Sequence, residues 1–216
     1  MLTIFLSLIR SFFLNFKMLP FSQAIKMPLL FRYDVKIKGR GEIHIMNAGL
    51  LKPALVRIGF HKVPTKHNSR AILDNNGVIE IEGSQHIGTG SIIFVAKGAI
   101  LTLGDNFAIS GHSTINCNKG IKFGRDIQLS WDCLIMDSDT HDIYGENYTK
   151  INEDKEIIFG DKVWVGCRAT ILKGAIIPDN CVIGACSVVT GDHFEKSTII
   201  AGTPAKSIKK ISGFKI

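Results

Sequence analysis

The chain holds 216 residues, 45% of them hydrophobic, enough for one well-buried core with at most a small appended segment. Its 26 Lys and Arg against 19 Asp and Glu give a net charge of +7, with much of the excess near the two ends: Arg10, Lys17, Lys26, Arg32, Lys36, Lys38 and Arg40, then Lys196, Lys206, Lys209, Lys210 and Lys215. Such a field suits an anionic partner such as a phosphate-bearing cofactor, an acidic glycan or a membrane surface; the lack of interleaved stacking aromatics and of any nucleic-acid motif argues against nucleic acid.

Residues 1–40 read as an N-terminal amphipathic helix followed by an extended segment. Leu2, Phe5, Leu6, Ile9, Phe12, Phe13 and Phe16 recur at helical spacing. No basic residue precedes the apolar run, no small-residue cleavage site follows it, and Arg10 interrupts it well short of the ~20 apolar residues of a membrane-spanning helix, so a secretory signal is not expected. The apolar stripe has two readings: it packs on its own domain or a neighbouring subunit, or it touches the inner face of the membrane.

Residues 41–208 carry a repeat. Ile81, Ile87 and Ile93 are six apart, as are Leu103, Ile109, Ile115, Ile121 and Ile127. A two-residue slip then starts Phe123, Leu129 and Ile135, and an unbroken run follows at Phe159, Val165, Ile171, Ile177, Ile183 and Val189. Gly124, Gly160, Gly166 and Gly184 each come directly after one of these residues, and Ala175 and Ala185 hold nearby small-residue positions. A β-strand shows alternate residues to one face, and a short strand plus a tight corner fits in six residues. Each hexad therefore gives one large side chain to a shared interior, and the whole reads as a mostly-β parallel solenoid whose outer coils need caps. The N-terminal helix and the tail, Ile208 onward, are the expected caps. The five cysteines lack Cys-x-x-Cys spacing, fall within apolar repeat segments and read as reduced core residues of a cytoplasmic protein.

The beat breaks once at length, over a loop at 137–157, before the short tail 209–216. Of seven histidines only His141 lies in that break, where a site would be grafted on a regular scaffold. An imidazole near neutral pKa suits a general base, and a neighbouring carboxylate would fix its tautomer; Asp139 and Asp137 are the candidates, with Asp126 behind them. The competing reading makes His141 a solvated loop residue and these carboxylates ordinary turn acids.

The segment from Ile158 to Ile208 contains Val163-Trp164-Val165-Gly166, Ile171-Leu172-Lys173-Gly174, Val182-Ile183-Gly184-Ala185, Ser187-Val188-Val189-Thr190 and Ala201-Gly202-Thr203-Pro204-Ala205-Lys206. It resembles the closing coils of the hexapeptide-repeat acyltransferases, particularly the branch of maltose, galactoside and polysaccharide O-acetyltransferases. Ser130-Trp131-Asp132-Cys133 through Asp139-Thr140-His141 resembles the loop-bearing coil of capsule and O-antigen acetyltransferases, and Asn15 to Phe21 also looks like that branch. The resemblance, not the spacing, implies a left-handed parallel β-helix. It further implies a homotrimer with acetyl-CoA between neighbouring prisms, a site shared by two chains, no covalent acyl-enzyme and no metal. Carried over position by position, it makes Trp164 line the acceptor pocket, with Trp131 a second substrate-side candidate. It gives an oxyanion donor at Gly166 or Cys167 and places Ala185 and Thr190 beside the pantetheine arm. Gly191 stands where the family often has Lys, so phosphate contacts fall to Lys206, Lys209 or Lys210. The implied function is O-acetyl transfer to a sugar or polysaccharide precursor, with acceptor choice in the irregular stretch Tyr33 to Asn76 and the His141 loop. The rivals are a non-catalytic β-helix scaffold, a γ-type carbonic anhydrase, whose paired histidines five residues apart are missing around His141, and a serine acetyltransferase, whose long helical N-terminal domain this sequence lacks.

Overall fold

The computed structural model describes residues 2–46, 49, 51–61, 69–191 and 193–215. Among them, strands form three sheets of nine, seven and six members, parallel except for the last strand of the nine, and as far as Val188–Val189 consecutive strands visit the three sheets in turn. We call these faces A, B and C. The result is a parallel β-helix of triangular section.

The six-residue beat is the face-to-face step of this prism. Val165 on face A, Ile171 on face B and Ile177 on face C follow one another, and Val165 pairs with Ile183 one coil on, eighteen positions later. Every hexad residue named above is buried. The two-residue slip is a longer coil: Ile109 pairs with Leu129, twenty positions on. Phe123 pairs with Phe159, thirty-six positions on, so that coil carries the extra loop. Inside, Phe107, Phe123 and Phe159 stack with ring centroids 4.8 and 4.6 Å apart.

Corners follow a local rule. At the A-to-B corner one residue per coil takes a left-handed conformation, at Gly90, His112, Asp132, Arg168 and Cys186. The next residue points inward and is small: Ser91, Ser113, Cys133, Ala169 and Ser187, all buried. A large side chain has no room where the chain turns this tightly. Gly166 serves the stacking of coils, since a Cβ there would sit 2.6 Å from the backbone nitrogen of Ala185.

Four expectations need correction. The prism begins before residue 41: β1 (Leu29–Phe31) already pairs with Val56–Ile58, and β2 (Lys36–Lys38) with Ile72–Asn75. The stretch from Tyr33 to Asn76 is thus largely regular coil, although its residues 47, 48, 50 and 62–68 lie outside those described. At the other end the parallel winding stops at Thr198–Gly202, and Ala205–Lys210 turns back antiparallel against it. Of the cysteines, Cys117, Cys133 and Cys181 are buried, Cys167 is half-buried and Cys186, at its left-handed corner, is exposed; all are free thiols.

The fourth correction concerns α1 (Leu2–Met18). It lies on β1, the edge strand of face A, but the residues it turns inward are Ser7, Ser11 and Asn15, while its large apolar residues face out. An edge strand presents unpaired N–H and C=O groups every second residue. Four residues of helix rise about 6 Å and two residues of strand about 6.6 Å, so polar side chains spaced by four stay in step with that edge. Ser7 Oγ accepts from Tyr33 N (3.0 Å) and Ser11 Oγ from Phe31 N (2.9 Å). Asn15 accepts from Leu29 N (3.0 Å) and donates to Leu29 O (2.8 Å). Arg10 continues the series, donating to the carbonyls of Tyr33 and Val35. The helix caps the solenoid as anticipated, through hydrogen bonds rather than through its apolar stripe. The short α2 (Phe21–Ala24) follows.

Candidate functional site

The loop between Leu134–Met136 and Ile157–Phe159 leaves the prism at the B-to-C corner. Its tip is a small hairpin in which Tyr144 bridges Lys150 and Ile151 N donates to Ile143 O at 2.9 Å. Its neck is held by Asn152. The Asn152 Oδ1 accepts from Ile143 N (2.7 Å), and its Nδ2 donates to His141 O and to Asp139 Oδ2, each at 2.8 Å. Lys173, from the next coil, clamps the same neck: Nζ reaches Asp139 Oδ2 at 2.5 Å and Asn152 O at 2.9 Å.

His141 is thereby fixed through its backbone while its side chain is exposed, and among the described residues the imidazole has no hydrogen-bond partner. The two carboxylates proposed to orient it are occupied elsewhere. Asp139 faces Lys173 and Asn152; the Lys173 hydrogen bond, then that of Asn152, holds its carboxyl below the usual carboxylate range. Asp137 is fully buried and accepts three backbone N–H groups, from Asn118 (2.7 Å), Lys119 (2.9 Å) and Gly120 (2.7 Å). It closes the corner of the preceding coil. Thr190 lies exposed at this same B-to-C corner, one coil beyond Leu172.

Trp131, Gly166, Cys167 and Ala185 gather at the A-to-B corner. Asp132 N donates to Gly111 O, Arg168 N to Trp131 O and Cys186 N to Cys167 O, which stacks Gly111, Trp131 and Cys167 as successive rungs. Ala185, two past Ile183 as Cys167 is two past Val165, is the next rung and is exposed. The column thus runs Gly111, Trp131, Cys167 and Ala185, small residues but for one half-exposed indole. Gly166 N donates to Ile183 O at 2.8 Å, so its amide belongs to the ladder and is not offered to a ligand. The neighbouring Cys133 thiol is a poor nucleophile: it gives its S–H to Gly166 O (3.3 Å) and burial pushes it up to about 11.

Trp164 projects from face A, Nε1 on Ser130 Oγ (3.1 Å), with the Phe214 ring 6.3 Å away, so the tail folds back toward it. Lys206 and Lys209 lie exposed on the final antiparallel strand, and Lys210 pairs with Glu195 at 3.1 Å. The residues named from the sequence therefore fall at different edges of one chain: the exposed His141 imidazole at B-to-C, and Trp131, Cys167 and Ala185 at A-to-B. Lys173 and Asn152 were not singled out as site residues from the sequence. Lys173 sits in the quoted Ile-Leu-Lys-Gly motif, which was its available signal; Asn152 has none.

A triangular parallel prism of hexads with a histidine on an extruded loop defines the class of hexapeptide-repeat transferases. Residues 156–191 match the family model "Bacterial transferase hexapeptide (six repeats)". A Klebsiella pneumoniae relative described as an uncharacterized 24.8 kDa protein in the cps region is 30% identical over 197 residues, covering 90% of this chain and 85% of that one. WbbJ of Escherichia coli (strain K12), named for O-acetyl transfer in lipopolysaccharide biosynthesis, is 28% identical over 145 residues, 63% of this chain and 74% of its own. The crystal structure of the polysialic acid O-acetyltransferase OatWY, 26% identical, overlays 84% of this chain and 92% of that one with a TM-score of 0.49. The chain belongs to the hexapeptide-repeat acyltransferase superfamily and is an acetyltransferase.

Proposed function

We propose that the protein moves an acetyl group from acetyl-CoA to a hydroxyl of a sugar or polysaccharide precursor of the capsule or O-antigen kind, by direct transfer with His141 as base. The observation that carries this reading is His141 itself: a solvent-facing imidazole with its backbone clamped by Asn152. A sugar hydroxyl gives its proton to the imidazole as its oxygen attacks the thioester carbonyl; the C–S bond then breaks, and the imidazolium returns the proton to the CoA thiolate. With Gly166 committed to the ladder, the oxyanion donor in this scheme is the Cys167 amide. Trp164 and Trp131 offer indole faces to a sugar's C–H surface. Ala185 and Thr190 border the pantetheine path, and Lys206 and Lys209 meet the phosphates.

The separation of His141 from Trp131, Cys167 and Ala185 supports a homotrimer, in which the B-to-C loop of one chain meets the A-to-B corner of the next. The names of WbbJ and of the cps-region relative support a glycan acceptor, and in this reading the place of work is the cytoplasm. The test is acceptor-dependent release of CoA against a panel of sugars, nucleotide sugars and glycan fragments, with mass spectrometry of the product. His141→Ala should lower kcat by at least a hundredfold, the usual contribution of a general base, with CoA binding unchanged. Retained turnover would refute the assignment.

A further inference from the structure

We propose that the outer face of α1 seats the protein on a lipid surface bearing anionic headgroups. This is independent of the acetyl-transfer reading. With Ser7, Ser11 and Asn15 committed to β1, the opposite side of the helix carries Leu2, Phe5, Ile9, Phe12, Phe13 and Phe16, between 38% and 69% exposed, and no charge. A surface helix in water has the reverse arrangement. The rings form a continuous patch, Phe12 lying 5.6 Å from Phe13 and 5.0 Å from Phe16, and Phe16 5.9 Å from Phe21, itself 72% exposed. At 17 residues α1 lies along a surface; no helix among the described residues is long and apolar enough to cross a membrane.

Charge decides between a bilayer and a second copy of the chain. Residues 1–41 contain seven Lys and Arg and one acid, Asp34, so this segment holds +6 of the net +7. Asp34 is itself paired with Arg32 at 2.6 Å. Lys17, next to Phe16, is exposed, and so are Lys36 and Arg40; Arg40 shares a surface pocket with Lys17 and Pro20. Two such faces brought together repel, whereas anionic headgroups attract basic residues flanking a buried apolar face.

The test floats the full-length protein with vesicles of phosphatidylcholine alone and of phosphatidylcholine mixed with phosphatidylglycerol. The protein should float with the mixed vesicles, less well at high salt. Phe5→Asp with Phe13→Asp should abolish flotation while leaving the melting temperature and the mass by light scattering unchanged, because neither ring supports the prism. Lys17→Gln should weaken binding about fivefold, the worth of one basic residue near such a surface. Absence of flotation overturns the proposal. So does a fall in assembly mass in the double variant, which would make the face a subunit contact.

Discussion

Asp137→Asn separates a structural carboxylate from a catalytic one. In the folded chain Oδ1 accepts from Asn118 N, and Oδ2 from both Lys119 N and Gly120 N. An amide offers one acceptor oxygen. Turned toward Lys119 and Gly120, it sets its NH2 against the Asn118 N–H, donor against donor; turned the other way, it orphans two. A hydrogen bond to a charged group contributes about 1.5–3 kcal/mol, and an orphaned buried donor costs a similar amount. The variant should lose about 3 kcal/mol, which in a chain of this size lowers Tm by about 6–12 °C. Asp137→Ala, orphaning all three, should fall further. Thermal denaturation at pH 7 reads the first quantity; CoA release per folded molecule, measured well below the lowered Tm, reads the second and should stay within about tenfold of wild type. A variant that melts with the wild type yet loses turnover by more than a hundredfold would refute this reasoning and return Asp137 to the chemistry.

Asn152→Ala removes the three bonds at the loop neck, so kcat should fall at least tenfold with Tm nearly unchanged, and proteolysis within 137–156 should accelerate; an unaltered kcat would show that the neck does not position His141. The Asp139–Lys173 clamp should be pH-dependent. The folded carboxyl titrates below its ordinary value near 3.8, so the clamp is fully present above that value and lost as pH falls through the folded one. Hydrogen exchange of the loop should thus be flat from pH 7 down to the ordinary carboxyl value near 3.8 once corrected for intrinsic rates, and rise only below it, with Asp139→Asn raised throughout. At the cap, Asn15→Leu should cost about 2–4 kcal/mol by stranding Leu29 N and O, and urea denaturation should show it; a neutral result would mean that α1 does not guard the edge.

The prism was legible because its cause is periodic. One inward residue per six follows from alternation along a strand and from a corner too tight for bulk, and both leave a mark on every coil. The two-residue slip at Phe123 and the gap at 137–157 were legible for the same reason, as departures from a beat. Asp137 and Asp139 were not separable: two residues apart in the same run, one is sealed beneath three amides and the other faces Lys173 from 34 positions away.

Periodicity also misled at α1, and instructively. A spacing of three and four marks a stripe but says nothing of which side faces in. Ser7, Ser11 and Asn15 repeat as regularly as the phenylalanines, and what chose between the faces was the row of unsatisfied backbone groups on β1, a consequence of tertiary structure. An unpaired N–H sealed from water costs about as much as a buried aliphatic side chain returns, so a polar stripe in step with a strand edge competes with an apolar one for the inward position. Its reward is a cap that also stops another sheet from pairing there. The same logic bears on catalysis. Coils that satisfy one another leave few backbone donors, and Gly166 is bound into the ladder like its neighbours. Chemistry on such a scaffold is expected at corners and at loops that leave the prism; in the reaction proposed above His141 stands at one such edge and Cys167 and Ala185 at another, and the proposed homotrimer is what would bring the two together.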